Sequence, residues 1–109
     1  MELTVTIDDD SLSIPIDNPF RIDLSTLEDR IKDFILSKMI DSEGIDIRGL
    51  LPRMIRGVAG CERGCPSNAL DIVQRGFKNF ELNYVDGGIL TAKILKDGKT
   101  IYFKMFPDF

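Results

Sequence analysis

Residues 89–105 read ILTAKILKDGKTIYFKM, and the way they pair decides the fold. Asp97-Gly98 is a strong two-residue hairpin signal, because the favoured turn needs positive φ at both central positions. Folding the chain there sets Ile94 opposite Ile101, Ala92 opposite Phe103 and Leu90 opposite Met105. That face is wholly apolar at a period of two, so it is read as the core face of two strands, 89–96 and 99–106. A third strand, 77–85, precedes them across Asp86-Gly87-Gly88. A two-residue loop would place Glu81 and Asn83 on the core face, or pair Phe80 with Lys93. A three-residue loop with a glycine bulge sets Phe80 opposite Ile94, Leu82 opposite Ala92 and Tyr84 opposite Leu90. A slip of one residue flips every side chain, so three residues are expected.

The N-terminus repeats the alternation. Leu3, Val5 and Ile7 form one strand, and Leu12, Ile14 and Ile16 the next, with residues 8–11 as the turn. Pro15 has no amide to donate, which suits an edge strand. Sequence leaves open whether this hairpin joins the C-terminal meander or stands apart.

Between the strands the period changes to that of a helix. Leu27, Ile31, Phe34, Ile35 and Met39 mark a helix over about residues 26–40. Ser25 and Glu28 fit a capping box; Asp23 is an alternative cap, with Ile22 and Leu27 as its hydrophobic staple. Asp46 can cap a second helical stretch whose apolar face is Ile47, Leu50, Leu51, Met54, Ile55 and Val58. Pro52 is expected to kink that helix or start another, since it lacks an amide and disfavours helical angles at Leu51. Pro66 suits the first position of a third, short helix ending near Gly76. The order is therefore β-β-α-α-α-β-β-β. It describes an α+β fold, an antiparallel sheet with helices on one face, and one domain over residues 1–109.

Composition narrows function. Hydrophobic residues are 43% and charged residues 29%, values of an ordinary globular chain. No apolar run reaches membrane-spanning length, and residues 1–10 lack a signal-peptide pattern, so the cytoplasm is the expected location. The net charge is −4, but residues 1–46 hold 12 acids and 4 bases, whereas residues 47–109 hold 6 acids and 10 bases. An acidic chain argues against nucleic acid as a partner, and no aromatic side chains interleave with the arginines. Histidine is absent, which excludes Ser-His-Asp and Cys-His mechanisms within one chain. Asp8, Asp9 and Asp10 lack the spacing of a calcium loop, and the glycines form no phosphate-binding motif. Phe106 and Phe109 are expected to fold back onto the domain.

Two features carry candidate sites. Arg48, Arg53, Arg56 and Arg63 form a basic ridge that suits an acidic partner. Beside it lie both cysteines, in CERGCPSNAL at residues 61–70. This run resembles the end of the bacterial-type ferredoxin cluster motif, C-x2-C-x2-C-x3-C-P, through Cys61, Cys65, Pro66, Ala69 and Leu70. The motif's other two cysteines would fall at Ile55 and Val58, so one chain supplies half the ligands. Cys65 can be a packed helix cap with Cys61 partly buried. The pair can be a redox dithiol, its thiolate favoured by the helix N-terminus and Arg63. It can also hold zinc or an iron–sulfur cluster shared between the two chains of a dimer. The leading expectation is a non-catalytic module, needing no cofactor, that binds an unidentified protein or itself through residues 48–65. The alternative is dithiol redox or thiolate–metal chemistry at Cys61 and Cys65.

Overall fold

The computed structural model describes residues 1–18, 21–59, 74, 79–85 and 88–107. Five strands form one antiparallel sheet: β1 (Glu2–Ile7), β2 (Asp10–Pro15), β3 (Glu81–Val85), β4 (Ile89–Lys96) and β5 (Lys99–Phe106). Their order is β2-β1-β5-β4-β3. The N-terminal hairpin thus joins the C-terminal meander, with β1 against β5. Leu3 faces Met105, Val5 faces Phe103 and Ile7 faces Ile101. Pairing in that register completes apolar rows across the sheet. One runs Leu12, Val5, Phe103, Ala92, Leu82; another runs Ile14, Leu3, Met105, Leu90, Tyr84.

The three hairpin turns follow from local chemistry. Asp97 (φ 52°) and Gly98 (φ 76°) carry the two positive φ angles expected, and Lys96 pairs with Lys99 across them. Val85 pairs with Ile89, so the β3–β4 loop has three residues, ending on Gly88 at φ 85°. The N-terminal turn is tighter than residues 8–11. Ile7 pairs with Asp10, so Asp8 and Asp9 alone make the bend, with Asp8 at φ 54°. Asp tolerates this left-handed region better than most residues. Pro15 does lie on an edge strand.

The described residues hold two helices, α1 (Leu24–Ser37) and α2 (Ile47–Ala59). The third expected helix lies outside the described residues, except for Gln74. Both helices bury their apolar stripes in one core with the alternate residues of the strands. The sheet's opposite face carries Thr4, Thr6, Thr91, Lys93, Tyr102 and Lys104, none of them buried. The fold is α+β, as the element order implied.

Details of α1 differ from the sequence reading. Asp23, not Ser25, is the N-cap; its carboxylate accepts from both the amide (3.2 Å) and the hydroxyl (2.8 Å) of Thr26. Those bonds hold the Asp23 carboxyl below its ordinary pKa, the side-chain bond most of all. Ile22 is half-buried and Leu27 buried, in the staple positions. The helix stops at Ser37 rather than Ile40. Met39 N–H donates to Leu36 O, and Ile40 N–H to Ile35 O, the paired bonds of a Schellman stop. Met39 takes the left-handed position at φ 61° and is 90% exposed, while Ile40 turns into the core. The expected core residue Met39 is thus replaced by its neighbour, because the reversal rotates the chain off the helical period.

In α2, Asp46 caps as expected, accepting from Gly49 N–H at 3.0 Å. All six expected apolar residues are buried. Pro52 does not divide the helix, which runs unbroken from Ile47 to Ala59. The carbonyl of Arg48 loses its i+4 donor, but an unbroken helix keeps residues on both sides of Pro52 in the core.

The C-terminal turn of α2 is fastened by Tyr84 of β3, whose hydroxyl donates to Gly57 O at 3.0 Å. This satisfies one of the carbonyls that a helix end leaves unpaired. Burial pushes the Tyr84 phenol above its ordinary pKa of 10.0. The fold therefore favours the protonated phenol, while the unfolded chain ionises from about pH 10. The associated stability is present below that pH and is lost as pH rises through the raised folded value. Tyr84→Phe should cost about 0.5–1.5 kcal/mol at neutral pH and remove this part of the alkaline loss. Urea unfolding of both proteins between pH 8 and about pH 11 tests it; equal pH slopes would contradict the assignment.

Candidate functional site

The basic ridge separates into two parts. Arg48 is exposed, but its guanidinium is already engaged within the chain. Its Nε lies 3.2 Å from Glu28 Oε2, and its guanidinium also donates to the Ser25 hydroxyl. Glu28 is shared with Lys32 at 3.2 Å. The two residues that looked like a capping box are thus held by an arginine from the next helix. Arg48 ties the first turn of α2 to the first turns of α1 while its side chain stays 57% exposed. Its exposed ion pairs are worth little individually, but bonded to both Ser25 and Glu28 it fixes how the two helices sit.

Arg53 and Arg56 are exposed on α2. They sit three residues apart, one helical turn, on the side opposite Leu50, Leu51, Met54 and Val58. Arg56 occupies the last turn, where its charge also suits the helix dipole. Cys61, Arg63 and Cys65 lie outside the described residues, so the readings made of them rest on sequence.

One polar device escaped the sequence reading. The Gln74 side chain donates to Phe80 O at 2.8 Å and accepts from Leu82 N–H at 3.1 Å. A primary amide carries a donor and an acceptor side by side, so it can stand in for a neighbouring strand along the β3 edge. Nothing in the local sequence distinguishes this glutamine from a surface one. Beside it is an open depression of about 530 Å³, lined by Gln74, Phe80, Glu81, Lys93, Leu95 and Thr100. A smaller one, about 260 Å³, lies between β2 and the start of α1, with Ile14, Ile22, Leu27, Arg21 and Arg30 among its walls.

The acidic N-terminal half is partly neutralised within the chain. Lys38 pairs with Asp10, and Lys99 Nζ lies 3.4 Å from Asp8. Asp97 accepts from the Asp41 amide at 3.0 Å. Asp8 and Asp10 thus engage lysines, and among the described residues no three His, Cys, Asp or Glu side chains could hold a metal ion. Nor is any helix among the described residues long and apolar enough to cross a membrane. Comparison with protein families, with curated proteins and with solved structures gives no match to this chain.

Proposed function

We propose that this chain is a non-catalytic protein-interaction module that receives an acidic partner on the outer face of α2. The observation that carries the reading is the placement of Arg53 and Arg56, exposed together one turn apart, on a helix whose opposite face is anchored in the core. Two guanidinium groups on a rigid element can take carboxylates with bidentate geometry.

Arg53→Glu together with Arg56→Glu is expected to weaken binding of a purified acidic partner at least tenfold, mostly through slower association and with reduced salt dependence. The far-ultraviolet circular dichroism should be unchanged, because neither side chain is buried. Affinity selection with the wild type, followed by titration of the purified partner against both proteins, checks this. A partner indifferent to the double reversal counts against the α2 surface. Loss of two hydrogens on mild oxidation, or zinc or iron accompanying the protein purified without oxygen, would assign it instead to chemistry at Cys61 and Cys65.

A further inference from the structure

We propose that β2 is a self-pairing edge through which two copies of this chain join their sheets. The inference extends the interaction role to a second surface, separate from α2, so either can fail without the other.

The two sheet edges are unlike. Along β3, Gln74 already occupies the outward groups of Phe80 and Leu82. Along β2, Ile16 N–H points inward to Met1 O at 2.7 Å. Alternation then directs the peptide groups of Ile14, Leu12 and Asp10 toward β1, and those of Ser11, Ser13 and Pro15 away from it. Among the described residues nothing bonds the outward amides and carbonyls of Ser11 and Ser13. An edge of this kind is a template for another strand.

Register selects the occupant. An antiparallel copy centred on Ser13 would set Ser11 against Pro15, which has no amide to give. Centring on Ser11 would set Ser13 against Asp9, which belongs to the turn rather than the strand, and Leu12 against the charged Asp10. Centring on Leu12 pairs Ser11 of each copy with Ser13 of the other, and these two pairs exchange four N–H···O bonds. Leu12 then meets Leu12 of the second copy at the closely spaced position, about 4.5 Å between Cα atoms. Leu12 is only partly buried in the single chain, as is Phe34 on α1; Phe34 is placed near this edge by Lys38, which lies over its ring and bonds Asp10. Pairing would cover apolar surface on the helix side.

Charge agrees with the same register. Asp10 of the second copy falls opposite Ile14, and its Asp8-Asp9 turn approaches the depression walled by Arg21 and Arg30. Asp17 and Asp23 also line that depression, but Asp23 is engaged as the cap of α1. Asp9 has no ion pair within its own chain among the described residues. The two-fold arrangement makes each such contact twice.

Sedimentation equilibrium of the full chain over a concentration series, at low and high salt, is the test. The wild type should pass from one chain mass to two as concentration rises, and less readily in high salt. Ser13→Pro removes only an outward amide, which an edge strand tolerates; it should keep the wild-type circular dichroism and stay monomeric. Arg30→Glu should weaken the dimer at least tenfold, and adding Asp9→Lys should restore it. This exchange carries the test if Ser13→Pro does not fold. A wild type monomeric at every concentration overturns the proposal, as does a dimer untouched by these variants. Arg53→Glu with Arg56→Glu should leave the dimer intact, which separates this surface from the α2 reading.

Discussion

Replacing Phe103 by alanine is expected to cost about 3–5 kcal/mol of folding stability. A domain of this size holds only about 5–15 kcal/mol in all, so the variant should sit close to its unfolding transition. Phe103 is fully buried in β5, the central strand, between Val5 of β1 and Ala92 of β4. It therefore touches both halves of the sheet, the N-terminal hairpin and the C-terminal meander. Its ring meets Phe80 edge-on, with centroids 6.0 Å apart and planes at 71°, an arrangement worth about 0.5–1.5 kcal/mol beyond area. The close-packed rows either side cannot collapse into the space a truncated ring leaves. Phe103→Leu, which keeps much of the volume, should cost considerably less. Urea titration of all three proteins measures this, with an unchanged slope as the sign that both states remain comparable. A cost below about 1.5 kcal/mol for the alanine variant, where cavity-forming substitutions reach 3–5, would show that β5 does not occupy the centre of the core.

That central place was only half legible. The Asp97-Gly98 turn and the alternating residues beside it predict the β4–β5 register pair by pair, because the signal is local and both turn positions demand unusual φ. The three-residue loop at 86–88 follows from the same register by consistency of faces. The pairing of β1 with β5 does not follow, since about a hundred residues separate the partners and no turn connects them. The α2 face was readable for the same reason as the strands: six apolar residues at one period outweigh a single proline.

Where local rules misled, a competing contact had claimed the residue, from another helix in one case and from the helix stop itself in the other. Ser25 and Glu28 have the spacing of a capping box, yet both bond Arg48, and Asp23 caps instead. Met39 continues the apolar period of α1, but the bonds that stop the helix send Ile40 inward in its place. The candidate site divides along this line. Helical period alone puts Arg53 and Arg56 on the outer face of α2, and both are exposed there. Arg48 has the same period but is reached by Glu28, an acid from another helix. Gln74 carried no signal, because its role depends on where the β3 edge passes.

Ala92→Leu tests the packing logic that joins these elements. Phe80 precedes β3 and Phe103 is on β5, so β4 lies between them. Strands two apart are separated by roughly 9–10 Å, yet the ring centroids are only 6.0 Å apart. The rings must lean toward each other above β4, where the small residue of that face is Ala92, fully buried, registered between Leu82 and Phe103 and followed two residues on by Ile94. A methyl group fits there; an isobutyl group would wedge the rings apart or push off the helices above. Overpacking of this kind costs about 1–3 kcal/mol and occasionally more, although leucine is the more hydrophobic residue. The sign is what discriminates, because burial alone predicts stabilisation. In a Phe80→Ala background the leucine has the vacated space to enter, so Ala92→Leu there should be close to neutral or favourable. The two substitutions should therefore be strongly coupled, as residues in contact are. A double-mutant cycle by urea unfolding reads this directly: an equal cost in both backgrounds would mean that Ala92 is small for some reason other than the approach of Phe80 to Phe103.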